Sequence, residues 1–240
     1  MALHGIVKMD ENHKIHCITK VPVFNHLSTD EMRVIARVAS SREYQKGEMV
    51  FFTGSGARIL YIIHQGLMKQ VRVARSGREQ MVRTLHPGEF VGELALFSNR
   101  ESEGYLEALK PSEVCQIHGR DVQSLLREFP EIATKIVEQL SNRLAGAEET
   151  IEQLGVHTVK QRLAGFLLRS LNKEGASVEP SHITLPFSKR DLASKLGTSQ
   201  ETLSRRLAEL EEQGVITLAG QREITIHTEE ALESIVAGEE

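Results

Sequence analysis

The stretch SKRDLASKLGTSQETLSRRLAELEEQG, Ser188–Gly214, decides the fold of the C-terminal third of this 240-residue chain. Ser188 can cap a helix that stops at Gly197, and a second helix with a leucine stripe stops at Gly214. The flanking sequence predicts an earlier helix, VKQRLAGFLLRSL, a short strand, ITLPF, and two strands around Gly220. A helix, a tight turn, a helix and a hairpin are typical of a winged helix-turn-helix.

The second helix carries a polar edge that suits base reading. In a helix-turn-helix this helix enters the major groove, and its N-terminal residues meet base edges. Arg205 can donate to guanine O6 and N7, and Glu201, four residues earlier on the same face, can accept from cytosine N4. Two plainer interpretations stay open: a Thr198-x-x-Glu201 capping box, and an ordinary Glu201–Arg205 ion pair. The residues predicted to contact double-stranded DNA are Ser188, Thr198, Ser199, Gln200, Glu201, Ser204 and Arg205.

Charge and composition narrow the class of protein. The net charge is −4, and only residues 156–227 carry a small basic excess, whereas the last thirteen residues hold five glutamates. This balance permits nucleic-acid binding but argues against a nucleoid-type, nonspecific binder. The sequence has neither an apolar run of about 18 residues nor an apolar N-terminal signal. It therefore predicts a cytoplasmic protein that does not span a membrane and whose thiols are reduced by default.

The middle of the chain reads as an antiparallel β domain. Strand-like segments, EMVFF, ILYIIHQ, MKQVRVA, EQMVRTL and EVCQIH, recur between residues 42 and 118, and a short helix over Thr29–Val38 precedes them. Short strands at regular intervals with glycine turns are typical of a sandwich or barrel. The turn glycines are Gly54, Gly66, Gly77, Gly88 and Gly92.

A long helix with a heptad stripe begins near Pro130 and is expected to end at Gly155. Apolar residues recur along it with alternating spacings of four and three, which is the pattern of a coiled-coil seam. We expect a homodimer seam, because Gly146 and Ala147 allow an identical helix to approach closely; the alternative is a helix lying on the chain's own β domain. The seam positions are Ala133, Val137, Leu140, Leu144, Ala147, Ile151 and Leu154.

Together the sequence patterns of these three regions predict an α+β chain in three parts. Residues 1–129 form an N-terminal arm and an antiparallel β-roll sensor domain, residues 130–155 a long dimerisation helix, and residues 156–240 a winged helix-turn-helix that binds DNA.

The chain resembles the Crp/Fnr superfamily of bacterial transcription regulators over nearly its whole length. The segments that carry the resemblance are KGEMVFFTGSGARILYIIHQG, RSGREQMVRTLHPGEFVGELALF, the seam helix and SKRDLASKLGTSQETLSRRL. The resemblance implies a β-roll like that of cyclic-nucleotide-binding jelly rolls, and a dimer that works with RNA polymerase. Glu201, Ser204 and Arg205 resemble the Fnr branch, whereas the cyclic-AMP receptor branch has arginine and glycine at the places of Gln200 and Ser204. This branch implies a palindrome with TTGAT-type half-sites.

The resemblance does not extend to the cyclic-nucleotide cassette. Gly92, Glu93 and Leu94 are kept, but Ser102-Glu103 or Glu103-Gly104 stands where the family places the Arg-Ser pair that holds the phosphate. A glutamate beside a cyclic phosphate is repulsive and costly to bury. We therefore expect no cyclic-AMP binding and interpret Gly92 and Glu93 as residues that keep the fold. The sequence does not predict any particular cofactor.

Cys17 and Cys115 are the two cysteines of the chain. The Fnr branch holds a [4Fe–4S] cluster on four cysteine thiolates, so two cysteines exclude such a cluster within one subunit. The pair resembles the Flp subgroup, in which two cysteines are proposed to form a disulfide as an oxidation switch. Two alternatives stay open: inert cysteines, and a metal site with mixed ligands. The weak metal candidates are His13, His16, Cys17, Cys115 and His118.

A different class of protein is a cupin-like metalloenzyme. His64, His86 and His118 lie in or beside the predicted roll, but the sequence shows no H-x-H…E…H cluster, nucleophile elbow, P-loop or G-x-G-x-x-G motif. The sequence therefore predicts a DNA-binding transcription regulator and not an enzyme. Its signal is either the cysteine pair or a metal or small effector in the β-roll.

Overall fold

The computed structural model describes residues 27–50, 58–77, 79–98, 104–174 and 181–239, together with Ile15, Ile18, Thr19, Val21, Phe24 and Asn25. The chain divides into two compact units, residues 1–142 and 143–240. None of the helices in the described ranges is both long and apolar enough to cross a membrane.

The first unit is built mainly from strands. Its elements are α1 (Thr29–Val38), β1 (Ser40–Tyr44), β2 (Ile59–Gln65), β3 (Met68–Val73), β4 (Glu79–Leu85), β5 (Phe90–Val91), α2 (Glu93–Phe97), β6 (Tyr105–Ala108), β7 (Ser112–His118) and α3 (Gly119–Glu128). Helix α4 (Pro130–Val156) follows and contains the boundary between the units.

The second unit combines helices with a small sheet. Its elements are α5 (Val159–Glu174), β8 (Ser181–Thr184), α6 (Lys189–Lys195), α7 (Gln200–Glu212), β9 (Ile216–Ala219), β10 (Glu223–Ile226) and α8 (Glu229–Ala237). The sheet has the order β8-β10-β9, and α8 packs along α5.

Two antiparallel sheets form the roll of the first unit. One has the strand order β1-β7-β2-β5 and the other β4-β3-β6. Apolar residues from both sheets, such as Ile63, Met68 and Leu106, fill the space between them. Alternation along each strand explains this core, because every second side chain points to the same face of the sheet. The predicted α+β fold, with a β-rich first domain, a long helix and a winged helix-turn-helix, is confirmed.

A second core lies on the other face of the first sheet. Cys115 and Ile117 of β7 and Ile62 of β2 contribute to it from the sheet. Helices α1 and α3 cover these strands, together with the first turns of α4 and the described residues of the N-terminal arm. The arm contributes Ile18, Val21, Phe24 and Leu27, each at most 6% exposed. This part of the arm therefore belongs to the core of the first unit.

Two turn glycines of the roll leave no room for a side chain. Gly92 has φ 107°, and a Cβ added to it would lie 2.1 Å from the Ile59 carbonyl oxygen. Gly66 has φ 97°, and its added Cβ would lie 2.2 Å from Ser112 Oγ. Any larger residue would clash and would need a left-handed backbone that L residues avoid. Gly92 is thus required by the fold, which agrees with its interpretation as a residue that keeps the fold.

Several predicted boundaries differ from the structure. Helix α4 continues through Gly155 to Val156, because one glycine costs a helix only about 1 kcal/mol. The strand predicted over ITLPF is β8, Ser181–Thr184, so Pro186 lies beyond it. Strands β1, β5 and β6 and helix α8 were not predicted. Of the predicted EMVFF strand, the last two residues lie in the segment 51–57, outside the described residues, and residues 48–50 form only an isolated bridge from Met49 to Glu107.

Candidate nucleic-acid interface

Helix α7 has one buried face and one exposed face. Leu203, Leu207 and Leu210 are at most 1% exposed and pack into the core of the second unit. Because residues three and four apart share a helix face, this burial fixes how the helix is rotated. The opposite face carries four exposed side chains that were predicted to read bases: Gln200, Glu201, Ser204 and Arg205.

Ser199 caps α7. The Thr202 backbone N–H donates to Ser199 Oγ at 3.1 Å, and Ser199 Oγ donates to Thr202 Oγ1 at 3.0 Å. Thr198 lies in the preceding turn, where its N–H donates to the Ala193 carbonyl at 2.9 Å. The interpretation of Thr198-x-x-Glu201 as a capping box is therefore wrong: the helix begins one residue later, so that the Glu201 carboxylate takes no part in the cap.

The alternative of an ordinary Glu201–Arg205 ion pair is not realised either. Within the described ranges no salt bridge joins these two side chains. The neighbouring Arg206 is different, because its Nη1 lies 2.6 Å from the Glu209 carboxylate and both side chains are about a third exposed. Arg205 thus extends from the helix, whereas Arg206 lies along its surface.

Ser188 caps α6, as the sequence predicted. The Asp191 backbone N–H donates to Ser188 Oγ at 3.1 Å, and Ser188 Oγ donates to the Asp191 carboxylate at 2.7 Å. This is a reciprocal capping box. The Ser188 hydroxyl is already hydrogen-bonded to Asp191 in the cap. A DNA contact by Ser188 stays a prediction, and it requires the same hydroxyl to bond both Asp191 and the DNA.

Basic residues in the elements that precede and follow α7 were not predicted as part of the interface. Lys189 and Arg190 are the first two residues of α6, and Arg222 lies in the turn between β9 and β10. Cations near a helix-turn-helix suit phosphate oxygens, which position a protein on DNA without reading sequence. The available signal was the Lys-Arg pair directly after the Ser188 cap.

The predicted seam of α4 divides into two parts. Ile132 and Ile136, which the seam does not include, are buried in the core of the first unit, and Leu140 is half-buried against the same core. The interpretation that α4 lies on its own β domain thus holds for its first turns. Ala133 is also half-buried. The remaining seam positions are exposed: Val137, Leu144, Ala147, Ile151 and Leu154.

The predicted cysteine pair is described only in part. Cys115 is 5% exposed on β7, in the core that also contains the arm residues Ile18 and Val21. Cys17 lies outside the described residues, as do the metal candidates His13 and His16.

The other histidine candidates do not come together. His118 is exposed at the end of β7, three residues from buried Cys115, and residues three apart in a strand point to opposite faces. His64 is buried at a β-bulge of β2, where its Nε2 lies 3.8 Å from the Glu113 carboxylate, whereas His86 is exposed in a turn. Among the described side chains, no three of the His, Cys, Asp and Glu type are placed to hold a metal ion.

The core of the roll contains two tyrosines. Gln116 Nε2 donates to Tyr44 Oη at 2.9 Å, and Tyr61 lies in the same core. Burial raises the pKa of both phenols above the ordinary value, and the neighbouring Tyr44 raises the pKa of Tyr61 further. Residues 99–103, which contain Ser102 and Glu103 of the altered cassette, lie outside the described residues.

Two family models match the chain, one in each unit. The family described as the cyclic nucleotide-binding domain matches residues 41–129, and the Crp-like helix-turn-helix domain matches residues 161–235. The second match contains α6, α7 and the hairpin, which are the elements that form the candidate interface.

Relatives match the chain along most of its length. The probable transcriptional regulator flp of Lacticaseibacillus casei is 28% identical over 214 residues, covering 89% of this chain and 95% of its own. The cyclic AMP receptor protein of Thermus thermophilus is 28% identical over 218 residues, covering 90% and 97%. Among solved structures, the c-di-GMP-responsive global regulator CLP of Xanthomonas campestris has a TM-score of 0.74 at 25% identity, covering 84% of this chain and 100% of CLP.

Proposed function

Because the chain belongs to the Crp/Fnr superfamily of transcription regulators, we propose that two copies of it bind a palindromic DNA site with TTGAT-type half-sites. Each copy presents α7 to one major groove, and the two copies pair through the exposed stripe of α4. The regulator acts in the cytoplasm, where it alters transcription by RNA polymerase. We propose no enzymatic activity.

One observation carries this proposal: the exposed row of Gln200, Glu201, Ser204 and Arg205 on a helix whose other face is buried. Glu201 and Arg205 are one helical turn apart, which allows them to contact neighbouring base pairs. The helix has thirteen residues and is about 20 Å long. Its diameter with side chains is about 10–12 Å, so it fits the major groove, which is about 12 Å wide. The cap on Ser199 supports this geometry, because it leaves both charged side chains available for DNA.

Pairing of two copies is supported by the exposed part of the seam. Val137, Leu144 and Ile151 are 60%, 61% and 69% exposed although all are large and apolar. An apolar stripe of this length on a helix is typical of an interface. A palindromic site follows from such pairing, because a two-fold dimer presents two identical recognition helices.

The test is a footprint of the purified protein on a TTGAT palindrome, with a scrambled duplex of equal length as the control. We expect discrete protection of both half-sites and an affinity for the scrambled duplex that is lower by about a thousandfold or more at the same salt concentration. Equal affinity for both duplexes would contradict the proposal. Transcription in vitro from a promoter with this site then tests the action on RNA polymerase: the transcript level should change only when the site is intact.

A redox signal through Cys17 and Cys115 is the second part of the proposal. It is supported by the burial of Cys115 in the core that also holds Ile18, the residue next to Cys17. A disulfide between the two residues would close a loop of about 100 residues and would tie the arm to β7. Oxidation should then change how this core packs on the first turns of α4 and thereby change DNA affinity.

The redox part has its own test. The footprint titration is repeated in dithiothreitol and in diamide, with metal analysis of the same sample. We expect a change in affinity for the wild type and none for Cys17→Ser or Cys115→Ser. Equal affinity of the wild type under both conditions would return both cysteines to a structural role, and bound metal would favour a metal effector instead.

A further inference from the structure

One arginine of α5 holds the turn of the helix-turn-helix from behind. Arg162 Nε donates to the Leu196 carbonyl at 3.0 Å, and Arg162 Nη1 donates to the His157 carbonyl at 2.6 Å. Leu196 ends α6, and His157 directly follows α4. A single guanidinium therefore connects the end of the long helix to the turn that leads into α7.

The position of this cation is favourable for an electrostatic reason. Both acceptor carbonyls lie at the C-terminal ends of helices, where backbone dipoles concentrate partial negative charge and the last carbonyls lack partners within the helix. Arg162 is half-buried, and burial lowers the pKa of its guanidinium, which nevertheless stays protonated in a protein. The planar guanidinium carries its donors in fixed directions, whereas a lysine ammonium is a single point of charge.

A second contact joins the same two regions. Gly197, the turn residue after Leu196, has φ 64°, and a Cβ added to it would lie 2.7 Å from Leu154 Cδ2. Leu154 is the last position of the predicted seam. The Thr198 N–H donates to the Ala193 carbonyl, so the turn itself is hydrogen-bonded into α6. The C-terminal part of the long helix, residues 143–156, is thus next to the turn at Leu154, and Arg162 ties the residue that follows the helix, His157, to the same turn.

We propose that Arg162 is a positioning residue that fixes the angle between helix residues 143–156 and α7, and thereby sets the half-site spacing that the dimer accepts. This inference rests on the proposed pairing of two chains through α4. Each added base pair displaces a half-site by about 3.4 Å and rotates it by about 35°. A recognition helix held at one angle to the seam therefore matches one spacing, and a helix released from Arg162 tolerates several.

The experiment compares Arg162→Met with Arg169→Met, a control on the same helix at an exposed position. Mobility shifts are titrated on TTGAT palindromes whose half-sites are separated by successive steps of one base pair. We expect the wild type and Arg169→Met to bind their best spacing at least tenfold more tightly than either neighbour. Arg162→Met should reduce this preference to less than threefold, and Arg162→Lys should lie between. A full preference in Arg162→Met would overturn the inference and leave the proposed function intact.

Hydrogen exchange gives a readout that needs no DNA. Backbone amides of residues 193–199 should exchange at least tenfold faster in Arg162→Met than in the wild type or in Arg169→Met. Unchanged exchange would overturn the role of Arg162 in holding the turn. If Arg162→Met does not fold, Arg162→Lys decides, since a wild-type spacing preference in that variant overturns the inference. A wild type with no preferred spacing would contradict the proposed dimeric function and the spacing role together, and the exchange would still decide whether Arg162 holds the turn.

Discussion

Helices α4 and α7 carry the same kind of apolar stripe, and the folded chain covers one stripe but not the other. In α7, Leu203 and Leu207 are at most 1% exposed, because α5, α6 and the small sheet lie against them. In α4, Val137, Leu144 and Ile151 are at least 60% exposed. Both stripes are apolar and have helical spacing, and the folded chain separates them by the cover that it gives to each.

The difference indicates what each stripe is for. Burying apolar area releases about 25 cal/mol per Å², so a stripe covered by the chain itself contributes to the stability of its own unit. A stripe left in water contributes nothing until a second surface covers it. The stripe of α7 therefore holds the proposed DNA-reading face in place, and the stripe of α4 is the surface to which we assign the proposed second copy of the chain.

The largest expected effect is on assembly. Leu144→Glu would place two like charges against each other in the paired helices, where neither has a counter-ion. We expect a monomer at micromolar concentration and at least a hundredfold weaker binding to the palindrome. Asn142→Glu, an exposed change off the stripe, is the control and should stay dimeric. Size exclusion with light scattering measures the result, and a dimeric Leu144→Glu would show that the stripe is not the interface.

The next effect tests the covered stripe. Leu207→Ala removes a side chain that is 1% exposed, and such a change costs about 2–5 kcal/mol of the free energy of unfolding. Leu144→Ala, measured at a concentration low enough for monomers, should cost less than about 0.5 kcal/mol. Denaturant unfolding followed by circular dichroism checks both. Similar losses for the two variants would mean that the monomer covers the stripe of α4 as well.

A smaller effect is expected on the exposed face of α7. Arg205→Ala should cost about 1–3 kcal/mol on the palindrome and weaken discrimination at one base pair of each half-site. Arg206→Ala is the matched control, because Arg206 is paired with Glu209 along the helix surface. Titration on single-base variants of the site gives the discrimination. An equal loss on random DNA would make Arg205 a phosphate contact instead of a base contact.

The start of α7 allows a finer test. Ser199→Ala removes the cap hydroxyl and should cost about 1 kcal/mol of the stability of the second unit. Thr198→Ala should cost less, since the Thr198 contact to the Ala193 carbonyl is made by its backbone. Thermal unfolding of the two variants distinguishes them. A larger loss in Thr198→Ala would restore the earlier cap position and with it a capping role for Glu201.

The smallest effect concerns alkaline pH. The folded chain raises the pKa of Tyr44 and Tyr61 above that of an exposed phenol near 10. Their contribution to stability is complete below pH 10 and is lost as the pH rises through the folded values. The tyrosinate absorbance, which reports all three tyrosines of the chain, should include ionisation of Tyr44 and Tyr61 above pH 10, with the same profile in Leu144→Glu. A shifted profile in that variant would mean that the seam supports the core of the roll.

The sequence predicted those elements whose local signals agree with each other. Ser28 with Glu31 forms a capping box, and α1 begins at the predicted Thr29. The strand β2 is a nearly continuous apolar run and has the predicted bounds, Ile59–Gln65. Strand β1, Ser-Ser-Arg-Glu-Tyr, carries a single large apolar residue, Tyr44, so its local pattern does not predict a strand. It is a strand because its backbone pairs with β7, which is distant in sequence.

The candidate site shows the same limit. The outward face of α7 followed from the leucine spacing alone, but Thr198 and Ser199 are both good cap residues, and only the hydrogen bond from the Thr202 N–H to Ser199 Oγ decides between them. Leu140 belongs to the heptad pattern, yet it is half-buried on the core of its own unit. The sequence did not predict the role of Arg162. The two groups that Arg162 joins are backbone carbonyls, of His157 and Leu196, which are far from each other in sequence and which no residue type marks.

The most direct test of the central claim is the mass of the protein–DNA complex. Native mass spectrometry of the purified chain with a TTGAT palindrome, and with a duplex that carries one half-site, counts the copies bound to each. We predict two chains on the palindrome, at an affinity at least a hundredfold above that for the single half-site. One chain per palindrome, or equal affinity for both duplexes, would contradict the account of a dimer that pairs through α4 and reads DNA through α7.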